Sequence, residues 1–208
     1  MEHSISPKVK IVEKKHTNGN ISVKGKLTNG NEEGYWIEYH RNGKVKSEGL
    51  YVNGEKSGVW MEYYNDGKLS KRCSYVDGKM EGVREEYHPK GYLIMRMNYH
   101  NSELEGETIS YHPDQSVDYI GNYRNGSREG FWEGFYSFGG KSFTYHYEND
   151  LEEGLQINYR LSGCPGYMGV MKNGVKDGMW IWCDERGRIT KSEVWNMGEM
   201  VTHNQIRV

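Results

Sequence analysis

Glycine recurs in this chain with a fixed interval. Gly34, Gly58, Gly82, Gly106, Gly130, Gly154 and Gly178 follow one another every 24 residues without an insertion. Carrying the frame backwards gives an eighth, degenerate copy that starts at Lys10 and keeps Gly19 and Gly30. A fixed period over nearly the whole of a chain marks a repeat architecture and constrains the fold more than any local motif. The unbroken frame favours one elongated unit in which each copy touches mainly its neighbours.

Numbering each copy from its glycine, positions 9–10 read Asn42-Gly43, Asp66-Gly67, Lys90-Gly91, Ser162-Gly163 and Arg186-Gly187. Positions 20–21 read Asn53-Gly54, Asp77-Gly78, Asn125-Gly126 and Asn173-Gly174. Asn-Gly and Asp-Gly signal type I′ hairpin turns, which need positive φ at both central residues. Two such turns per copy leave room for two short strands. The chain is therefore predicted to be all-β, a meander of about sixteen antiparallel strands rather than a parallel β-helix or a propeller.

Two-residue turns would fix the register. Position 4 then faces position 15, pairing Met61 with Arg72, Glu85 with Arg96, Ile109 with Ile120 and Ile157 with Met168. Position 5 faces position 14, as in Glu62 with Lys71 and Gly134 with Phe143; position 14 faces position 3 of the next copy, as in Tyr119 with Trp132 and Tyr167 with Trp180. Such cross-strand pairs stabilise a sheet by about 0.2–1 kcal/mol each. One face is expected to carry the Trp column (Trp36, Trp60, Trp132, Trp180), the position-12 aliphatics (Val45, Leu69, Leu93, Val117, Ile189) and the Tyr column from Tyr51 to Tyr147. Trp at position 3 would lie opposite position 16, which is Gly49, Gly121 and Gly169 in three copies, so that a ring can cover bare backbone. The other face carries positions 2, 4 and 6 and is freer to vary. Sixteen strands would span about 77 Å, and twist would curve the sheet into a ribbon with a groove. Residues 1–9 and 202–208 would form the ends, with 10–201 as the repeat domain.

Hydrophobic residues make up only 35% of the chain and mean hydropathy is −0.91, yet Tyr (17) and Trp (6) are abundant. Amphipathic aromatics suit a thin sheet wetted on at least one side. No run approaches the roughly 18 apolar residues of a membrane helix. The opening MEHSISPKVKIVEKK lacks the apolar stretch of a secretory signal. Cys73, Cys164 and Cys183 are odd in number and occupy different repeat positions, which argues for a reducing, cytoplasmic setting.

The motif G-x-W-x-x-Y-x-x-[ND]-G-x-[LV]-x(5)-Y-x-[ND]-G resembles the MORN repeat, in particular its bacterial variant. Its clearest copies are GYWIEYHRNGKVKSEGLYVNGEKSG and GVWMEYYNDGKLSKRCSYVDGKMEG, beginning at Gly34 and Gly58. The array is similar to that of the YwqK-type antitoxin family over about 10–201. That resemblance implies an elongated, twisted single-layer antiparallel sheet of about eight tandem hairpin repeats. It also implies a cytoplasmic antitoxin or immunity protein that binds a cognate bacterial toxin. Eukaryotic MORN arrays are linked instead with membrane lipids and scaffolding. The later copies depart from the motif, with Arg84, Thr108 and Gln156 at position 3, Gln115 at position 10, and an irregularity at Pro165-Gly166.

Catalytic and metal chemistry finds little support. His40, His88 and His112 share position 7, but successive copies lie about 9.6 Å apart and ligands must lie about 2 Å from one ion. The cysteines form no C-x-x-C. The column Glu38, Glu62, Glu86 has the same wide spacing and reads as periodic surface acid rather than a glycosidase pair. The segment Gly134–Ser142, GFYSFGGKS, misses the phosphate-loop pattern by one residue and precedes no helix. Asn20 and Asn125 open glycosylation sequons without meaning in the cytoplasm. The expectation is no enzyme, no cofactor and no metal.

A protein surface remains. Residues 1–100 hold 17 Lys/Arg against 13 Asp/Glu, 101–153 hold 3 against 11, and 154–208 hold 7 against 5. A middle balance of −8, from 3 − 11, suits a basic partner and not direct nucleic-acid binding. It also speaks against the alternative, a peripheral membrane scaffold on anionic lipid. Acids replace apolar residues on the face of positions 2, 4 and 6 at Glu85, Glu107 and Glu133. Arg96 answers Glu85, whereas Glu107 and Glu133 face Asn122 and Thr144. With Asp118 and the aromatics Tyr111, Phe131 and Phe135 they form the candidate partner site. Sheet edges at both ends would permit end-to-end self-association.

Overall fold

A computed structural model describes residues 6–206. The chain divides after Glu103 into two compact units. The first holds β1 (Val9–Lys15), β2 (Ile21–Thr28), β3 (Asn31–Tyr39), β4 (Val45–Val52), β5 (Glu55–Tyr63), β6 (Leu69–Val76), β7 (Lys79–Met80), β8 (Gly82–Tyr87) and β9 (Leu93–His100). The second holds β10 (Glu103–Tyr111), β11 (Val117–Arg124), β12 (Ser127–Phe135), β13 (Lys141–Glu148), β14 (Leu151–Glu152), β15 (Gly154–Tyr159), β16 (Pro165–Lys172), β17 (Val175–Cys183), β18 (Ile189–Asn196) and β19 (Glu199–Gln205). There is no helix among the described residues. Within each unit every pairing is antiparallel and joins strands that follow one another along the chain, with β6 and β13 also reaching past the two-residue β7 and β14 to β8 and β15. The fold is all-β, in tandem hairpins.

The nineteen strands of the described residues exceed the sixteen expected for two reasons. β7 with β8, and β14 with β15, are single strands interrupted at Glu81 and Glu153, whose N–H groups bond back to Ser74 and His146. In addition, β19 pairs with β18 as far as Gln205, so the expected C-terminal end at 202–208 is strand through that residue. At the other end strand begins at Val9. Residues 1–5 and 207–208 lie outside the described residues.

The two turns of each copy differ in kind. At positions 20–21 both residues have positive φ, as in Asn53 (50°) with Gly54 (86°) and Asn173 (50°) with Gly174 (78°), the type I′ geometry. At positions 9–10 only the second residue does. Gly67, at φ 90°, donates its N–H to Tyr64, and Tyr64 N–H bonds Lys68 O. This is the longer connection of a type I turn followed by a left-handed glycine, not the I′ turn the dipeptide suggested.

The 4-with-15 and 5-with-14 pairs form as expected, including Met61 with Arg72, Ile157 with Met168 and Glu62 with Lys71. The pairing of position 14 with the next position 3 does not. Tyr119 faces Gly134, and Tyr167 faces Trp182. The cause is a bulge at the periodic glycine. Between the pairs Leu50–Ser57 and Glu48–Met61 the β5 strand carries two extra residues, with Gly58 at φ 63°. The recurring glycine is thus the residue that can adopt the left-handed backbone of a bulge.

A second irregularity, between positions 5 and 6, pairs Tyr63 with Leu69 and Tyr111 with Val117. Position 12 therefore joins the face of positions 2, 4 and 6, contrary to the sequence expectation. Position 13 moves to the Trp face, where Lys46 Nζ bonds Glu38 at 3.0 Å.

The Trp face is the packed one. Trp36, Tyr51, Trp60 and Tyr75 interleave edge to face at centroid distances of 5.9, 4.9 and 6.5 Å. In the second unit Tyr123, Trp132 and Tyr147 do the same at 5.2 and 6.0 Å. Each indole lies over the position-16 glycine of the preceding copy: Trp36 on Gly25, Trp60 on Gly49, Trp132 on Gly121, Trp180 on Gly169. The expected facing of positions 3 and 16 within a copy holds, as Trp36 with Gly49, but the glycine under each ring belongs to the strand before, across the bulge.

Candidate functional site

Five of the six expected site residues share the open face of the second unit. Glu107 and Phe131 stand at position 2, Glu133 at position 4, Tyr111 and Phe135 at position 6. Asp118 does not join them. The irregularity between Ser110 and Tyr111 turns it to the Trp face, where it accepts a hydrogen bond from Ser110 Oγ at 3.2 Å and lies 3.5 Å from His112 Nε2.

The open face is built from cross-strand rows. Ile109, Ile120, Glu133, Thr144, Ile157, Met168 and Ile181 face one another in succession from β10 to β17. Glu133 thus interrupts an apolar row. It is not the unpaired carboxylate expected, since Lys141 reaches it from position 12 and the hydrogen bond holds that ammonium above its usual range. Glu107 is exposed and faces Asn122. Phe135, Val117, Ile120 and Tyr136 enclose an apolar hollow of about 350 Å³.

Sequence reasoning missed the full extent of the position-2 column. Phe131 is 65% exposed, Leu155 51% and Met179 62%, and Phe131 meets only the edge of His146 at 4.9 Å among the ring contacts. These residues share one face at alternate strands, with Glu107 at the head of the column. Bulky apolar groups left in water on a sheet whose other face is packed make a surface suited to a partner.

Many polar residues have structural work instead. The position-7 side chain bonds the position-6 carbonyl of the next copy: His16 to Tyr39 at 2.8 Å, His40 to Tyr63 at 2.9 Å, Tyr64 to Tyr87 at 2.6 Å, His112 to Phe135 at 2.8 Å and Tyr136 to Tyr159 at 2.5 Å. A carbonyl only accepts, so each imidazole donates from Nε2. That is the role of His40 and His112 in the histidine column, whereas His88 accepts the Lys90 N–H at Nδ1 and stacks on Tyr92. The position-24 carboxylates accept the first N–H of the following I′ turn, at 2.7 Å from Glu105 to Asn125 and 2.8 Å from Glu153 to Asn173. Part of the acidic middle thus holds turns. No group of three or more His, Cys, Asp or Glu among the described residues could hold a metal ion.

Two consecutive segments, residues 32–53 and 56–77, match the family model of the MORN repeat variant. Those two segments are similar to that repeat. No curated protein matches the chain. The matched MORN segments lie in the first unit and contain the ladder Tyr51–Trp60–Tyr75. The same 24-residue geometry recurs in the second unit, where the motif has drifted most and the open face is most apolar. No helix of the described residues is long and apolar enough to cross a membrane.

Proposed function

We propose that the chain is a non-catalytic protein-binding module that seats a partner with a basic surface on the open face of its second unit. The observation that carries this is the exposed column of Phe131, Leu155 and Met179 headed by Glu107. MORN repeats are as a class binding and scaffolding modules, which supports the general reading. Apolar side chains would supply contact area, and the local balance of −8 over 101–153 would steer a cationic surface. In its finer form the partner is a bacterial toxin that this chain neutralises in the cytoplasm as an antitoxin or immunity protein. The resemblance of the repeats to the YwqK type supports that form.

The test uses the protein encoded beside the chain's own gene, titrated with wild type and with Glu107→Lys combined with Phe131→Asp. Circular dichroism confirms that the variant keeps its sheet. Affinity is expected to weaken at least about tenfold. Unchanged affinity would remove this face. Failure of the wild type to protect cells that express the neighbouring protein would contradict the antitoxin form. Binding to anionic vesicles in its place would favour a membrane scaffold.

A further inference from the structure

The open face repeats a polar pair beside its first turns. In the first unit position 15 is charged in every copy, as Lys24, Glu48, Arg72 and Arg96, and the position 6 that follows is a tyrosine, as Tyr39, Tyr63 and Tyr87. These side chains meet polar partners across or along the strands. The Tyr63 hydroxyl donates to Glu48 Oε1 at 2.6 Å, and Glu85 accepts from the Tyr87 hydroxyl at 3.0 Å while lying 3.4 Å from Arg72.

The copies beginning at Gly106 and Gly130 remove both members. Ile120 takes the place of the charged residue and Phe135 that of the tyrosine. The hollow of about 350 Å³ at this point is walled by Val117, Ile120, Phe135 and Tyr136. Its polar atoms are already engaged: the Tyr136 hydroxyl donates to Tyr159 O at 2.5 Å, and the hydroxyl of the bordering Ser116 donates to Asp114 at 2.6 Å. A third departure lies beside it. Position 9 is Asn42 and Asp66 in the best-matched copies but Phe138 here, a ring 68% exposed in a turn. Phe138 stacks on Tyr136 at 5.4 Å with the planes 6° apart.

We infer that this hollow takes one aromatic side chain of the protein partner, from a segment in which basic residues flank the aromatic one. The inference rests on the partner surface proposed above and names what that surface grips. Apolar walls whose polar atoms are satisfied favour an apolar occupant, and ring pairs add about 0.5–1.5 kcal/mol beyond the area they bury. The volume is at the small end of ligand sites, enough for a single side chain of the kind that anchors an interface. Lys141 already answers Glu133, so the basic flanks are called for by Asp114 in the bordering turn and by the balance of −8 over 101–153. In the first unit the corresponding place is spanned by the Tyr63–Glu48 bond.

Backbone amide shifts of the isotopically labelled full chain, titrated at low salt with acetylated and amidated pentapeptides, test the inference. Lys-Gly-Trp-Gly-Lys is expected to shift Val117, Ile120, Phe135 and Tyr136 saturably, and to bind at least about threefold more tightly than Glu-Gly-Trp-Gly-Glu. Lys-Gly-Gln-Gly-Lys should give no saturable shift there. Ile120→Glu combined with Phe135→Tyr copies the Glu48–Tyr63 pair and should abolish binding; because it adds a carboxylate, that loss cannot come from weakened attraction of the lysines. Unchanged shifts around Trp60 and Trp132 show that this variant keeps its sheet. No saturable shift in the wild type, equal binding of the two tryptophan peptides, or unchanged binding by the double variant would overturn the inference. The peptides report the hollow without the partner, so a failed titration beside an intact effect of Glu107→Lys with Phe131→Asp on partner affinity strikes this inference alone. A saturable titration beside a partner indifferent to that variant supports the hollow and strikes the wider surface.

Discussion

At the scale of single residues, one rule links two columns. Position 16 is glycine at Gly25, Gly49, Gly121 and Gly169, and eleven residues later stands Trp36, Trp60, Trp132 or Trp180. Where tryptophan is missing the glycine is too: Cys73 precedes Arg84, and Tyr145 precedes Gln156. A Cβ on Gly121 would lie 2.1 Å from the Trp132 ring. Gly121→Ala is therefore expected to cost about 1–3 kcal/mol, read as a lower urea midpoint, and Trp132→Thr in the same chain should recover part of it. This rule was present in the sequence but could not be read there with the right partner, because the bulge moves the ring onto the preceding strand. Glu193 offers a second check. It is buried, and hydrogen bonds from Lys191 first, then Trp195 and His203, hold its pKa at about 2 against an ordinary 4.5. A depressed folded pKa gives stability that is complete above about pH 4.5 and is lost as pH falls towards 2. In acid titrations followed by fluorescence, Glu193→Gln should be less stable than wild type at neutral pH and should approach it across that window. A constant difference would contradict the assignment.

At the scale of elements, the hairpins were legible because Asn-Gly and Asp-Gly state a backbone requirement that few other dipeptides meet. Their asymmetry was not legible. Asp66-Gly67 and Asp77-Gly78 are the same dipeptide in different turns, and only Asp77 has positive φ, at 46°. The irregularity beside the first turn is what exchanged positions 12 and 13 between faces and moved Asp118 away from the candidate site. The position-7 clamps were equally hidden, since His and Tyr share no motif beyond a donor that reaches the next copy. Tyr64→Phe deletes the 2.6 Å bond to Tyr87 O and should cost about 1 kcal/mol. Tyr64→His should retain most of that stability, because His16 and His40 make the same bond. Thermal denaturation of the two variants decides between a hydrogen bond and mere packing as the role of this column.

At the scale of the molecule, a chain of near-identical copies should tolerate loss of a whole copy. Excising residues 58–81 joins Ser57 to Gly82 and keeps every position in frame. The shortened protein is expected to fold with the same sheet signature and a reduced denaturant midpoint. Excising 58–69, half a copy, puts bulges against turns and should leave an unfolded or aggregated product. The fold class was legible because the period is exact in length even where its motif decays. The partner surface was legible only in part: the acids could be counted, but the exposure of Leu155 and Met179 follows from packing on the opposite face. The central claim is the register set by the glycine bulge, for it places Glu133 in the row of Ile120 and the indoles over glycine. Cross-strand backbone NOEs in the isotopically labelled chain test it most directly. The account expects the backbone of Ile120 to face Glu133 and that of Tyr167 to face Trp182; backbone pairing of Ile120 with Phe131 and of Tyr167 with Trp180 would contradict it.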